Sequence, residues 1–124
     1  MRMPDSAGLI RQGAALSHWT DERCFIKEIL NDSRCPDVSV AECVVKPGVS
    51  TQWHALSVNE KYIVTGGNGS MELQHQNVFH IECGDCVQIP AGMAQRVTNN
   101  SDFDLCFLCI CTPRFTPASY SALE

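Results

Sequence analysis

Two stretches of the sequence decide the fold: residues 48–67 read GVSTQWHALSVNEKYIVTGG, and residues 84–99 read GDCVQIPAGMAQRVTN. Within the first stretch, residues 60–65 alternate between two faces, which is the pattern of a half-buried strand. The Gly-Gly-Asn-Gly sequence at 66–69 supplies the positive φ angles of a tight hairpin. In the second stretch, Pro-Ala-Gly at 90–92 interrupts the chain as a turn. Both stretches therefore predict short β-strands separated by tight turns.

The same pattern of short apolar runs and turn residues extends on both sides of the two stretches. Strands are predicted at residues 37–45, 60–65, 70–75, 78–82, 86–89, 95–98 and 103–111. Residues 22–30 place apolar side chains at helical spacing but have no clear N-cap, and we interpret them as a further strand. Several short strands with little helix predict an all-β fold, either a sandwich or a small barrel.

Length, composition and charge exclude several classes of function. The chain has 124 residues, of which 44% are hydrophobic and 19% charged, and this fits one globular domain. The formal net charge of −5 leaves no basic field to hold a phosphate backbone, so we expect no nucleic-acid partner. No apolar run approaches the roughly 18 residues of a membrane span, so we expect no membrane partner.

The N-terminus and the cysteines predict a compartment. Asp5 and Arg11 interrupt the pattern of a secretory signal, so we expect a cytoplasmic protein with reduced cysteines. The eight cysteines are Cys24, Cys35, Cys43, Cys83, Cys86, Cys106, Cys109 and Cys111. The C-x-x-C sequence formed by Cys83 and Cys86 is of a kind that zinc sites and redox pairs use. We favour core packing for the cysteines, because a free cysteine behaves as a small hydrophobic residue.

Together, the two stretches resemble the two motifs of the cupin superfamily, G-x5-H-x-H-x3/4-E-x6-G and G-x5-P-x-G-x2-H-x3-N. The matching positions are Gly48, His54, Glu60 and Gly67 in the first motif and Gly84, Pro90, Gly92 and Asn99 in the second. The resemblance implies an all-β jelly-roll β-barrel, also called a double-stranded β-helix, and small cupins of this kind commonly form homodimers. We expect an N-terminal arm at 1–20, the barrel at 21–115, and a C-terminal tail at 116–124 that runs over the surface or a neighbouring subunit.

The sequence departs from the family pattern at two positions. Leu56 stands where the second histidine of the first motif belongs, and Gln95 stands where the histidine of the second motif belongs. Typical cupins hold a divalent metal with three histidines and one glutamate. The resemblance therefore implies a weaker metal site for Zn, Mn, Ni or Fe(II), formed by His54, Glu60 and the amide oxygen of Gln95.

Strand periodicity predicts which side chains share the barrel interior. Gln52, His54 and Leu56 point the same way, and Glu60 and Tyr62 would face the same space. Gln95, Val97 and Asn99 would line it from the other sheet. A buried imidazole and carboxylate need partners, which leaves three solutions: a metal, a direct His54–Glu60 hydrogen bond or a bound ligand. In the metal-free case, Gln95 would bridge His54 and Glu60.

Two functions follow from this set of residues. In the first, the barrel pocket binds a divalent metal and a small polar molecule and acts as an isomerase or lyase, with His54 or Glu60 as general base and Tyr62 as a donor of a hydrogen bond or proton. In the alternative, the protein binds a sugar or effector without metal or catalysis. Gln52, His54, Glu60, Tyr62 and Gln95 would then hydrogen-bond the ligand directly.

Overall fold

The computed structural model describes residues 7–11 and 16–124, and in this part of the chain eleven short strands form two facing antiparallel sheets. The strands are β1 (His18–Trp19), β2 (Phe25–Leu30), β3 (Ser39–Val45), β4 (His54–Leu56), β5 (Asn59–Gly66), β6 (Asn68–Leu73), β7 (Phe79–Glu82), β8 (Cys86–Ile89), β9 (Gln95–Thr98), β10 (Leu105–Thr112) and β11 (Tyr120–Ala122). A 3-10 turn, Pro117–Ser119, precedes β11. No helix among the described residues has the length and apolar character needed to span a membrane.

The order of the strands is that of a jelly roll. Sheet A has the order β1-β2-β3-β10-β5-β8, and sheet B has the order β11-β4-β9-β6-β7. Strand β10 lies between β3 and β5, far from both in sequence, so the chain passes repeatedly from one sheet to the other. The predicted all-β jelly-roll barrel is confirmed, and β2 confirms that residues 22–30 include a strand rather than a helix.

The core lies between the two sheets, because alternate side chains of each strand turn inward. In β5 the buried residues are Glu60, Tyr62 and Val64, while their neighbours along the strand are more exposed. The central hydrophobic cluster comprises Cys24, Cys43, Val45, Tyr62, Val64, Met71, Leu73, Ile81, Val87, Ile89, Val97, Leu105 and Phe107. This core is apolar apart from a small group of buried polar side chains, and that group forms the site described below.

The glycine-rich segment at 66–69 does not form the predicted tight hairpin. Strands β5 and β6 belong to different sheets, so the segment carries the chain across the barrel edge. Gly67 has a φ of +75°, and a Cβ on it would lie 2.2 Å from the carbonyl oxygen of Asp104. Close approach to another backbone therefore requires glycine here. The hairpin predicted around residues 76–77 does form, between β6 and β7.

Strands near both ends of the chain, β1 and β11, pair with the barrel. Strand β11 pairs with β4, with Tyr120 opposite Leu56 and Ala122 opposite His54. The C-terminal segment therefore adds a strand to sheet B of its own barrel, instead of running over the surface or a neighbour. Of the arm predicted at 1–20, residues 1–6 and 12–15 lie outside the described residues, and β1 at its end pairs with β2.

The contact between Gly67 and Asp104 predicts a difference between two glycine substitutions. Gly67→Ala should lower the free energy of unfolding by more than about 3 kcal/mol, because a positive φ and a backbone clash act together. Gly48 also has a positive φ, of +79°, but no atom lies within 4 Å of its Cβ position. Gly48→Ala should therefore cost only about 1 kcal/mol. Urea denaturation followed by circular dichroism measures both, and equal losses would contradict the role of the close contact.

Candidate functional site

A cavity of about 80 Å³ lies between the two sheets. Strands β2, β3, β5 and β10 of sheet A form most of its wall, and β4 contributes His54 and Leu56 from sheet B. Most lining side chains are aliphatic, aromatic or thiol groups. The polar side chains that line it are Glu22, Glu28, Asn31, Ser39, Thr51, His54, Glu60 and Tyr62.

The amide of Gln95 connects the two sheets behind this cavity. Gln95 lies on β9 of sheet B and is completely buried. Its Nε2 donates to Glu60 Oε1 over 2.7 Å, and its Oε1 accepts a hydrogen bond of 2.7 Å from the Tyr62 hydroxyl. Glu60 and Tyr62 both belong to β5 of sheet A. One side chain of sheet B thus fixes two functional side chains of the opposite sheet.

This geometry corrects two expectations about Gln95. It does not bridge His54 and Glu60, because its oxygen is bonded to Tyr62. It also does not lie across the barrel from His54: the two residues are direct cross-strand partners within sheet B. No direct hydrogen bond joins His54 to Glu60 in the described part of the chain. Glu60 accepts from Gln95, and His54 Nδ1 lies on the carbonyl oxygen of Gln52.

His54 is held by the backbone and by a ring contact. Its Nδ1 lies 2.6 Å from the carbonyl oxygen of Gln52, which can only accept, so Nδ1 carries the proton. The ring of Tyr120 stacks on the imidazole, with 5.0 Å between the ring centroids. Burial lowers the pKa of His54, although the Gln52 bond and the charge of Glu124 oppose this. A neutral imidazole with Nδ1 protonated has a free lone pair at Nε2.

Glu22, a residue outside both sequence motifs, lies next to that lone pair. Its Oε1 lies 3.6 Å from His54 Nε2, at the cavity wall. Burial raises the pKa of Glu22 to about 7. The Glu22 carbonyl accepts from the Gln52 backbone, and the guanidinium of Arg23 donates to the carbonyls of Ser50 and Thr51. These bonds fix the turn that carries Glu22 against the barrel.

Glu60 is a second buried carboxyl group without a cationic partner. Its pKa is raised to about 7: burial is the main cause, the charge of Glu22 adds to the rise, and hydrogen bonds from Gln95 and Cys109 oppose it. Tyr62 stacks on Phe107, and burial raises its pKa well above the ordinary value, so its hydroxyl stays protonated. The Tyr62 hydroxyl donates its hydrogen bond to Gln95. Tyr62 therefore positions Gln95 and Glu60 and is not a free donor to a ligand.

Gln52 does not share the inward orientation predicted for it. Strand β4 begins only at His54, so the alternation does not extend back to Gln52. Its Oε1 instead accepts a hydrogen bond from the Tyr120 hydroxyl, and among the described residues it is not part of the cavity lining. Arg96 and Trp53, the neighbours of Gln95 and His54, contact each other instead of the cavity: the Arg96 guanidinium lies over the Trp53 ring and donates to Glu72.

Four of the eight cysteines line the cavity, as the packing interpretation requires. They are Cys24, Cys43, Cys109 and Cys111. The Sγ atoms of Cys43 and Cys109 lie 3.2 Å apart on neighbouring strands. The bond to Cys109 and burial raise the pKa of Cys43 well above its usual value, so its thiol stays protonated. Cys83 and Cys86 are both exposed, so the core-packing interpretation is wrong for these two cysteines.

The residues present do not fit a resident transition metal. The Gln95 amide is used by Glu60 and Tyr62, and His54 faces Glu22 rather than Glu60. Within residues 7–11 and 16–124, no group of three or more His, Cys, Asp or Glu side chains is arranged to hold a metal ion. A structural or catalytic metal of the usual kind needs at least three such protein ligands. The predicted set of His54, Glu60 and Gln95 is therefore not assembled as a metal centre.

The fold and the enclosed polar group define a double-stranded β-helix protein. The sequence profile of the Cupin domain matches residues 41–111, which is more than half of the chain. The chain therefore belongs to the cupin family. No curated protein sequence matches it significantly.

Solved structures from several organisms are similar to the whole chain. An uncharacterized conserved protein with a double-stranded beta-helix domain from Klebsiella pneumoniae has a TM-score of 0.74 at 15% identity, over 96% of this chain and 99% of the other. Streptomyces PAC13 with uridine has a TM-score of 0.78 at 12% identity, over 96% and 92%. The polyketide cyclase RemF from Streptomyces resistomycificus has 0.77 at 14%, over 96% and 87%. At these identities the likeness establishes the fold alone.

The raised pKa of Glu60 predicts a pH dependence of stability. The native state holds this proton up to about pH 7, whereas an unperturbed carboxyl releases it near 4.5, so stability falls as pH rises between these values. Glu60→Gln keeps the oxygen that accepts from Gln95 but removes the ionisation. This variant should therefore lose the part of the pH-dependent decrease in unfolding free energy that comes from Glu60, roughly 2–3 kcal/mol.

Urea denaturation at a series of pH values measures this effect. The difference between wild type and Glu60→Gln isolates Glu60 from the other groups that titrate in the cavity, Glu22 and His54. Glu82→Gln, at an exposed position of β7, should retain the wild-type curve. Parallel curves for wild type and Glu60→Gln would contradict the assignment.

Proposed function

We propose that this cupin binds a small molecule in its barrel cavity and transfers protons on it, as an isomerase or a lyase, with its own acid–base side chains. One observation carries the proposal: His54 Nε2 and Glu22 Oε1 lie 3.6 Å apart at the wall of a cavity that Glu60 also lines. Groups whose pKa values are shifted toward neutrality, gathered in one cleft, are typical of catalytic sites.

His54 is the general base in this proposal. Its Nδ1 is fixed on a backbone carbonyl, so Nε2 is the atom with a lone pair, and the Tyr120 ring holds the imidazole plane. Burial keeps the imidazole neutral, which is the form that accepts a proton. Once His54 is protonated, the carboxylate of Glu22 stabilises the imidazolium, as a buried acid does for histidine in other proton-transfer sites.

Glu60 is the general acid. Its pKa of about 7 leaves a large fraction protonated at neutral pH, and Gln95 and Tyr62 hold its orientation. In a lyase step, His54 takes a proton from the carbon next to a carbonyl, and the C–H electron pair forms a carbon–carbon double bond. The C–O bond at the next carbon breaks, and the leaving hydroxyl takes the Glu60 proton and departs as water. In an isomerase step, the proton returns to a different carbon.

A non-catalytic binding module is the second candidate function. Among the described residues, every buried side-chain nitrogen and oxygen has a hydrogen-bond partner within the protein. Polar side chains that are already paired, such as Gln95 and Tyr62, fix the wall before a ligand enters, which favours recognition of a sugar or effector over chemistry. In that case the cavity retains its shape and polarity, and His54 and Glu60 contact the ligand without exchanging protons.

Dehydration of small β-hydroxy ketones tests the proposal. Formation of the conjugated enone, followed by its ultraviolet absorbance, should occur with wild type. His54→Gln and Glu60→Gln should each lower kcat at least about 100-fold, because general acid–base groups contribute factors of this size. Glu82→Gln, on the outside of β7, is the matched control and should have wild-type kcat. Equal kcat for His54→Gln and wild type would contradict the role of His54.

Metal dependence is measured in the same assay. Cupins often bind a divalent metal, and such a metal would polarise the carbonyl oxygen of the substrate. Protein purified without an affinity tag and dialysed against a chelator should retain its full activity and contain no stoichiometric metal. Activity that is lost on dialysis and restored by Zn, Mn, Ni or Fe(II) would overturn the metal-free assignment. Tight binding of the ketones without turnover would favour the binding module.

We also propose a cytoplasmic location and a homodimer. The eight cysteines are all unpaired, which supports a reducing compartment. Two large aromatic side chains, Trp19 and Phe103, are 53% and 76% exposed, which supports a further contact surface. Sedimentation should give the mass of two chains, and the mass of one chain at every concentration would contradict the dimer.

A further inference from the structure

We propose that the cavity takes an uncharged, largely apolar molecule that carries a carbonyl or hydroxyl oxygen, and that it rejects the corresponding carboxylates and phosphates. This inference names the class of molecule for the cavity to which the proposed function is assigned, and it rests on that function only for the position of the site.

The lining has acidic side chains and no cationic one to balance them. Glu22, Glu28 and Glu60 contribute carboxyl groups, and among the described lining residues there is no lysine or arginine. Two arginines contact lining residues without lining the cavity themselves. Arg23 donates to backbone carbonyls and pairs with Glu124, and Arg114 donates to Asn31 Oδ1. An anionic ligand would meet like charge from the ionised form of Glu22 and Glu60, or would have to keep both groups protonated, and no cation of the described lining offsets either cost.

The rest of the wall favours apolar contact. Aliphatic and aromatic side chains make up much of the lining, among them Ile26, Leu30, Val40, Leu56, Phe107 and Phe115. The thiols of Cys43 and Cys109 are hydrogen-bonded to one another, and thiols are weak donors toward a ligand. A charged group that enters such a wall loses its hydration without full replacement, whereas a hydrocarbon body gains from burial.

Hydroxyl groups of the wall provide little alternative solvation for an anion. The hydroxyl of Thr51 already pairs with both the carbonyl and the amide of Val97. Ser39 Oγ accepts from the amide of Phe115. The polar group best placed for a ligand is the Glu22–His54 pair, which is separated by 3.6 Å and is not itself a hydrogen bond. A ligand hydroxyl can donate to the lone pair of His54 Nε2, and a ligand carbonyl can accept from Glu22 in its protonated form. A carboxylate cannot donate to Nε2, and it is repelled by Glu22 in its ionised form.

Four aromatic probes of one size test this inference. Benzyl alcohol and benzaldehyde are neutral, benzoate is an anion and benzylamine is a cation at neutral pH. Dissociation constants come from amide chemical-shift titrations of the full chain. Benzyl alcohol and benzaldehyde should bind at least about tenfold more tightly than benzoate, since one uncompensated charge contact is worth more than 1.4 kcal/mol in such a site.

Charge-removing variants identify the source of the discrimination. Glu22→Gln and Glu60→Gln should each bring the dissociation constant of benzoate closer to that of benzyl alcohol, because they remove a carboxylate and preserve the shape of the side chain. Glu82→Gln, on the exposed face of β7, should leave the ratio at its wild-type value. An unchanged ratio in both cavity variants would overturn the assignment to these carboxyl groups.

Each remaining outcome decides the inference separately from the proposed function. Benzoate binding as tightly as benzyl alcohol would overturn it, as would benzylamine binding more than about tenfold more tightly than benzyl alcohol, which would define a cation site. Failure of all four probes to shift cavity resonances would also overturn it. The neutral preference without any ketone dehydration would support the inference and contradict the catalytic proposal. Dehydration of the ketones without a preference for neutral probes would support the catalytic proposal and contradict the inference.

Discussion

The hydrogen bonds of Gln95 connect the two sheets and define the chemistry of the interior. Its amide reaches from β9 to Glu60 and Tyr62 on β5, each over 2.7 Å, in a completely buried position. A histidine here would offer a nitrogen lone pair toward a metal, as the family pattern implies. Glutamine instead offers an amide nitrogen that donates to Glu60 and an amide oxygen that accepts from Tyr62. The carboxyl of Glu60 is therefore fixed by an uncharged partner, and burial raises its pKa to about 7.

Much of the fold follows from local sequence, and the exceptions have physical reasons. Strands β8 and β9 occupy the predicted residues because turn residues delimit them on both sides. The segment at 66–69 has the composition of a hairpin, but its glycines serve a close approach to Asp104, which is distant in sequence. Likewise, β11 pairs with β4 through contacts between chain segments more than sixty residues apart, and no local pattern indicates this.

The candidate site was only partly predictable for the same reason. Motif spacing and alternation identified His54, Glu60, Tyr62 and Gln95 as inward-facing residues, and all four are buried. Glu22 lies outside both motifs, at the start of the segment predicted as a strand, and the strand itself begins only at Phe25. It reaches the cavity because its carbonyl and the neighbouring Arg23 bond to residues 50–52. Side-chain partners were also not predictable, since Gln95 bonds across the barrel although its strand neighbour is His54.

The cavity thus encloses acid–base groups in an apolar wall, without a compensating cation among the described lining residues. The central claim is that Glu22 and Glu60 exchange protons near neutrality. Carbon-13 NMR titration of the glutamate carboxyl resonances tests this directly, with Glu22→Gln and Glu60→Gln assigning the two signals. The account predicts that both groups titrate with midpoints of about 7. Midpoints near the ordinary value of 4.5 for both would contradict it.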